Sequence, residues 1–484
     1  MQFYNSYYVP NNPEYPCIHL KSDNWNDYGY QTSFYITYYD ENGTELSLGI
    51  VKILEIDDSE TTKIPSNFTK LDDRYTSLGQ TMEYYHKINA LEKGEEILNA
   101  LNDVIKKPHT LDQFRKLEGF ENSLLRNSEA RLVLNKANSI LTNEDIEYPE
   151  IGKVFFECQL PNAETSHKLV FDFERHKFLP YRINALIGKN GTGKTEVLAH
   201  LANTISRNYN DREEEGVLNI INKDGSINYD VGPLFSRVIT VSMSSFDHFN
   251  RVISSKYTSY KYCGIRDREG NINLDDMRKR LTRSYLDLKS LNREAIWEEI
   301  LSETVDSQTI DIYKKFLSST VGDENKLSSG QTMMLLVITN IVSFIQDNTL
   351  ILFDEPELYL HPNAISGLIK MIYRILEKFN SYAVIATHSP KIIQEIPSRY
   401  VRVFRRIDNR TTIDQLQIES FGENLTVITN EVFSVEEDKF LYKDIMDKLS
   451  NQLSFNQVNE MFDHKLSLNA RFYLKSLYRR QQDK

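Results

Sequence analysis

The stretch Gly188-Lys189-Asn190-Gly191-Thr192-Gly193-Lys194-Thr195 constrains this chain more than any other part of it. It fits the pattern GxxxxGK followed by Ser or Thr, with the apolar run INALI before it and a helical pattern after it. That predicts a strand, a phosphate-cradling loop and a helix over residues 195–207. Glycines let backbone N–H groups turn inward, and the helix N-terminus adds the positive end of its dipole. Lys194 is then expected to hold the β and γ phosphates and the Thr195 hydroxyl to ligate Mg²⁺. A glycine-rich turn without a ligand would explain the letters, but not the strand and helix that flank them.

A loop of this kind belongs to an α/β fold, and the surrounding pattern agrees. KVFFECQL (153–160), KLVFDFE (168–174) and RVITVSM (237–243) read as strands, and Lys223-Asp224-Gly225 reads as a hairpin turn. Strand and helix alternation resumes from 332 to 430, which implies a mainly parallel sheet covered by helices. At 484 residues the chain should hold two to three domains. The expected division is an N-terminal β-rich and helical extension over 1–148, the α/β domain over 149–430 with a helical insertion at about 245–325, and a helical C-terminal segment over 431–484. Within the extension, Asn42-Gly43 predicts a tight primed hairpin turn in a small sheet over residues 1 to about 60. Residues 72–146 read as helical, with Pro108 as a break.

The bulk numbers exclude several classes. No apolar run approaches 18 residues, so no membrane span is expected. MQFYNSYYVPNNPEYP does not read as a secretory signal, which makes the cytoplasm the expected location. Cys17, Cys158 and Cys263 are odd in number and widely spaced, and read as packing thiols. A net charge of −12 argues against a surface that coats nucleic acid. The basic runs Arg278-Lys279-Arg280 and Arg402 to Arg406 leave nucleic acid a candidate partner, although each reads more simply as a solvated helix or loop face.

Three further stretches carry chemistry. In LILFDEPELYLHP (350–362), Asp354 sits at the end of a buried strand, where it could hold magnesium directly or through water. Glu355, facing the other way from the pleat, could accept a proton from the water that attacks a γ-phosphate, or orient it. Two carboxylates after an apolar run are costly unless a cation partners them. Lys326-Leu327-Ser328-Ser329-Gly330-Gln331 precedes an apolar helix, so its exposed N–H groups could form a second anion site, although a serine N-cap explains it equally well. AVIATHSP (383–390) ends a strand at His388, whose imidazole could hydrogen-bond a γ-phosphate or the attacking water.

Taken in order, these elements resemble the nucleotide-binding domain of ABC-type ATPases over roughly residues 150–410: Walker A at 188–195, signature LSSGQ at 327–331, Walker B ILFDEP and switch His388. DEPE followed by LHP resembles the SMC, RecF and OLD branch, with His361 standing where transporter domains carry an aspartate. The resemblance implies a P-loop NTPase fold with an antiparallel β subdomain and a helical insertion. It also implies ATP and Mg²⁺ as cofactors, Glu355 and His388 as catalytic residues, and Thr195 and Asp354 as metal ligands. Gly188 to Thr195 of one subunit would face Ser328, Ser329, Gly330 and Gln331 of another across two nucleotides, so a homodimer or higher oligomer is expected.

VSMSSFDHF (241–249), GIRDREG (264–270) and FGENLTVITNEVF (421–433) are similar to bacterial defence-associated AAA family ATPases such as the Septu ATPase PtuA. No glutamine stands in the Q-loop position, where Ser245 or Asp247 is the candidate. SVEEDKFLY (434–442) is followed by too little chain for a Toprim nuclease. The expected function is therefore an ATPase that regulates a separate effector, such as an HNH nuclease, in anti-phage defence. The rivals are a RecF- or SMC-like DNA repair ATPase and a nucleotide-gated scaffold with little hydrolysis. A transport motor is disfavoured by His361 and the absent glutamine.

Overall fold

Strand-forming β-branched and aromatic residues dominate the first 79 positions, and they build a six-stranded sheet of order β5-β1-β2-β3-β4-β6. Its strands are β1 (Gln2–Asn5), β2 (Cys17–Ser22), β3 (Ser33–Tyr39), β4 (Glu45–Glu55), β5 (Asn67–Phe68) and β6 (Tyr75–Gly79). The computed structural model describes the chain except residues 24–28, 127, 143–150, 161–164, 207–215, 223–224, 229–233, 245–248, 250–259, 268, 319–326, 408–409, 434–440 and 483–484. The chain divides into two compact units, Met1–Ile428 and Thr429–Lys484.

Two expectations for this region are corrected. The β3–β4 hairpin forms, but residues 40–44 make a wider loop in which the Asp40 carboxylate accepts the N–H groups of Asn42 and Thr44. Of the Asn42-Gly43 pair only Gly43 has positive φ (77°), so the two-residue primed turn is absent. The segment read as helical from 72 contains β6, which completes the sheet beside β4. Helices follow as α1 (Met82–Asn89), α2 (Gly94–Ala100), the single turn α3 (Leu111–Phe114) and α4 (Ser128–Leu141). Phe34, Ile53 and Leu54 of the sheet share one core with Tyr84, Tyr85 and Val133 of the helices.

The second half of unit 1 holds two sheets. An antiparallel one of order β11-β10-β7-β8 comprises β7 (Lys153–Cys158), β8 (His167–Asp172), β10 (Val217–Ile221) and β11 (Ile227–Asn228). Between β8 and β10 the chain contributes β9 (Ile183–Gly188) and α5 (Lys194–Ser206). β9 is the fifth strand of a seven-stranded sheet of order β13-β12-β14-β15-β9-β16-β17. Its other members are β12 (Arg237–Ser242), β13 (Tyr260–Tyr262), β14 (Thr349–Asp354), β15 (Tyr382–Thr387), β16 (Val401–Ile407) and β17 (Arg410–Gln415). Every pairing is parallel except the β16–β17 hairpin. β9, β12, β14 and β15 are buried along their whole length, which is why they read as continuous apolar runs. The mixed α/β architecture with a mainly parallel sheet, an antiparallel subdomain and helices at the C-terminal end is the one expected from the sequence.

Helices α6 (Leu274–Ser290), α7 (Glu294–Ser302) and α8 (Ser307–Ser318) form the insertion, and β13 ahead of them joins the main sheet. Then comes α9 (Ser329–Phe344), whose Thr339 hydroxyl accepts from the buried Trp297 indole at 3.0 Å and so ties it to α7. α10 (Pro362–Lys378) links β14 to β15, and the one-turn α11 (Pro390–Ile393) follows β15. α12 (Leu425–Phe433) crosses the boundary between the units. The second unit holds α13 (Leu441–Ser450), α14 (Phe455–Met461) and α15 (Leu468–Gln482), packed around Met446, Val458, Leu466 and Leu474.

Candidate active site

The site lies at the carboxyl ends of three neighbouring strands, β9, β15 and β14. In the parallel register Asp354 stands opposite Ala386, and Thr387 opposite Ile187. The loop after β9, His388 after β15 and Glu355 after β14 therefore emerge side by side, where open α/β sheets place their ligands.

The loop 188–195 has the form that a phosphate cradle needs. Gly191 and Gly193 adopt φ of 75° and 94°, values that side chains disfavour. A Cβ on Gly188 would lie 2.3 Å from the carbonyl oxygen of Phe404, so close packing of β9 against β16 also demands glycine there. Thr192 Oγ1 donates to the Lys189 carbonyl at 2.9 Å. Lys194 is buried, and its ammonium donates to the carbonyls of Gly188 at 2.9 Å and Lys189 at 3.1 Å. Burial pulls the Lys194 pKa below the usual lysine range, while Glu355, Asp354 and Glu357 oppose that effect. Lys189, Asn190 and Gly191 are exposed at the mouth. Arg406 on β16 donates to the Gly191 carbonyl at 3.1 Å and braces the loop from outside.

Thr195 Oγ1 donates to Asp354 Oδ1 at 2.7 Å, across the width of β15. Asp354 is fully buried. Among the described residues no group of three or more His, Cys, Asp or Glu side chains is placed to hold a metal. A hydroxyl and one carboxylate beside a phosphate loop is nevertheless the small protein donor set that suits Mg²⁺, which takes its remaining ligands from phosphate and water. Thr195 and Asp354 fit that ion and could hold it, and the ion would supply charge neutralisation on the phosphates.

Glu355 does not continue the pleat as expected. It has φ of 51°, so a left-handed residue, with its N–H bonded to the Ala386 carbonyl, turns the chain as the strand ends. Its Oε1 lies 3.6 Å from His388 Nδ1, and Glu357 Oε1 approaches the same nitrogen at 3.2 Å. The His388 imidazole beside it holds Glu355 below the usual carboxylate range against the effect of burial. The same contact raises His388, with Glu357 adding to it and burial and Lys194 opposing. Such an arrangement suits a carboxylate that stays ionised beside an imidazole able to donate.

The signature residues bond among themselves rather than to the phosphate loop, among the described residues. Ser328 caps α9, accepting from Gln331 N at 3.3 Å, while Gln331 Oε1 accepts from Ser328 N at 3.0 Å. That reciprocal pair is the capping box that the serine-rich turn also suggested. Ser328, Ser329 and Gln331 are exposed, and among the described residues no hydrogen bond joins this turn to the loop 188–195. Its Gly330 faces the loop after Walker B, where an added Cβ would lie 3.4 Å from the Tyr359 carbonyl.

Several expectations resolve as structural roles. His361 caps α10, its Nδ1 accepting from Asn363 N at 3.4 Å. The basic runs are largely engaged: Arg280 pairs with Asp276, Arg402 donates to the carbonyls of Arg399 and Val401, and Arg405 pairs with Asp414. Ser245 and Asp247, the Q-loop candidates, lie outside the described residues, as do Lys326, Lys223-Asp224 and most of SVEEDKFLY. Glu357 and Arg406 are site residues that sequence reasoning did not assign. Their signals were the third acid of DEPE and a basic strand, and neither speaks without knowing which strands are neighbours.

Fold and site together define a mixed α/β domain of the P-loop NTPase fold. An AAA ATPase domain family matches residues 244–393, which takes in the signature turn, Asp354, Glu355 and His388 but begins after the phosphate loop. Protein ea59 of Escherichia phage lambda is 27% identical over 501 residues, spanning 95% of this chain and 94% of that protein. A probable ABC transporter ATP-binding protein p29 of Mesomycoplasma hyorhinis is 30% identical over 102 residues, 21% of this chain and 36% of that protein. Among solved structures, the ADP conformation of an ATP-binding cassette from an ABC transporter covers 57% of this chain and 93% of its own, with a TM-score of 0.30 and 12% identity. No helix among the described residues is long and apolar enough to cross a membrane.

Proposed function

We propose that the chain binds ATP with Mg²⁺, hydrolyses it, and pairs with a second copy through two shared nucleotide sites so as to regulate a separate effector. The observation that carries this reading is the 2.7 Å hydrogen bond from Thr195 to Asp354, which joins the phosphate loop to the acidic strand end. Lys194 holds the β and γ phosphates, Glu355 orients or deprotonates the attacking water, and His388 donates to the γ-phosphate. Ser328, Ser329, Gly330 and Gln331 of the second copy supply N–H groups and hydroxyls to the far side of the same phosphate. Their exposure, together with the absence of hydrogen bonds from them to their own phosphate loop among the described residues, supports this division of labour.

The effector fits best as a nuclease of the HNH kind, with the pair acting in the cytoplasm in defence against phage, as in Septu systems. Support for a partner comes from the N-terminal sheet with its helices and from the C-terminal helical unit, which lie outside the phosphate-loop region of the chain. A nearly full-length relative in a phage is compatible with exclusion of competing phages. The DNA repair reading loses support because Arg402, Arg405 and Arg406 are spent on the protein's own carbonyls and on Asp414. The test is Glu355→Gln, which should abolish phosphate release while leaving ATP bound. Undiminished turnover in that variant would remove Glu355 from its role.

A further inference from the structure

The third acid of DEPE, Glu357, is placed where neither the Walker pattern nor the roles given above require one. Glu357 lies three residues past Asp354, in the turn that leaves β14, and only 8% of it is exposed. Its Oε1 gathers three groups from the neighbouring strand end. The Thr387 hydroxyl donates to it at 2.6 Å, the His388 backbone N–H donates at 2.9 Å, and His388 Nδ1 stands 3.2 Å away. Its other oxygen, Oε2, is buried without a hydrogen-bond partner. A buried carboxylate held on one oxygen only is expensive to keep unless a cation stands beside it. The groups that bear on His388 are Glu355 and Glu357 from the loop after β14 and Lys194 from the phosphate loop. Of the two acids, Glu357 is nearer to the ring and is the one bonded to the His388 main chain.

We propose that Glu357 is the positioning residue for His388: a single carboxylate oxygen fixes the His388 backbone by a hydrogen bond and sets a negative charge 3.2 Å from ring Nδ1, which leaves Nε2 as the ring atom available to the γ-phosphate. With carboxylate oxygens 3.2 and 3.6 Å from Nδ1, a proton on that nitrogen is favoured, and protonation of Nε2 makes it a donor to an anionic substrate. Glu355 is then free to act on water, because Glu357 anchors the His388 main chain and adds to the charge beside the ring. The two acids divide the work: one serves the reaction, the other serves the histidine. The inference rests on the ATPase reading for its catalytic meaning, but the contact itself can be tested apart from turnover.

The experiment uses the full chain and compares the parent with Glu357→Gln, Glu357→Ala, His388→Ala and the double alanine variant. Steady-state ATP turnover is measured across pH, together with nucleotide affinity and NMR titration of isotope-labelled histidine, with His388→Ala assigning one signal among the ten histidines. Glu357→Ala should lower kcat on the order of 10- to 100-fold with KM nearly unchanged, as expected for loss of an oriented acid–base group. The double variant should be no slower than His388→Ala, because residues acting through one another are not additive. Glu357→Gln keeps an acceptor for the Thr387 hydroxyl and the His388 N–H. It should recover part of the rate, move the alkaline limb to lower pH and lower the pH at which His388 titrates. Unchanged titration and turnover in both Glu357 variants, or multiplicative loss in the double variant, would overturn the proposal. A parent that never turns over ATP, yet shows the expected change in His388 titration, would instead remove the ATPase reading and leave the positioning contact standing.

Discussion

At the scale of single residues, the site depends on groups that tolerate little change. Gly188→Ala would drive a methyl group to 2.3 Å from the Phe404 carbonyl, and backbone cannot yield as a flexible side chain does. That variant should lose about 1–3 kcal/mol of stability, measured by denaturant unfolding, and bind nucleotide poorly. Away from the site, Asp103 is fully buried, accepting from the Tyr85 hydroxyl at 2.8 Å and Ile105 N at 2.9 Å. Burial raises its pKa from 3.8 to about 7 in spite of those donors. Between those two pH values the unfolded chain has released a proton that the folded chain keeps, so this carboxyl costs stability as pH rises through the window. Asp103→Asn should flatten that decline relative to the parent in unfolding curves taken from pH 4 to 8. The Glu355–His388 contact has a different dependence. With the acid lowered and the base raised, its contribution is present between their two folded titrations and fades on either side.

At the scale of elements, the signature helix α9 is held at its C-terminal end by chemistry from distant parts of the chain and at its N-terminal end by its own cap. At its C-terminal end the Arg237 guanidinium donates to the Phe344 carbonyl at 2.7 Å and to Glu129 Oε2 at 2.8 Å, with both charged side chains at most 5% exposed. Burial pushes the Glu129 carboxyl up, and Arg237 opposes that effect. Glu129 belongs to α4 of the N-terminal extension, so this pair fastens the extension to the first residue of β12 and the last of α9. Glu129→Ala would leave a buried guanidinium without its anion and should cost about 3–5 kcal/mol in chemical unfolding. At the other end, Ser328→Ala removes the α9 cap and should cost only about 1 kcal/mol.

Such links show how much was legible in the sequence. The phosphate loop, the strand at 349–354 and the helix after LSSGQ could be read from local pattern, because glycine spacing and apolar runs are local signals. Glu129 and Arg237 are separated by 108 positions, and β15 lies between β14 and β9, facts that no local pattern carries. Without that strand order, Glu357 reads only as a third acid in a loop. β6 was missed because TSLG has little period-2 contrast and is buried throughout.

At the scale of the whole molecule, the signature and the phosphate loop of one chain share no hydrogen bond among the described residues, so the shared-site proposal makes mass the decisive observable. Glu355→Gln with ATP should run in light scattering at about 113 kDa, twice the chain mass of 56.5 kDa, and return to lower mass when nucleotide is removed. Ser328→Arg in the same background should still bind ATP yet fail to gain mass, because an added bulky side chain would occupy the place of the facing phosphate. The closeness of Gly330 to the Tyr359 carbonyl, 3.4 Å from where a Cβ would stand, gives such a pair a further property. The turn that would read a neighbour's phosphate lies beside the loop descending from that same chain's own acids, where Tyr359 has φ of 67°. In a two-fold assembly each turn would then report the far nucleotide to the near carboxylates, and the reverse would hold by symmetry. Occupancy of one site would bias the other, and ATP dependence would be sigmoidal, with a Hill coefficient rising from about 1 toward about 2.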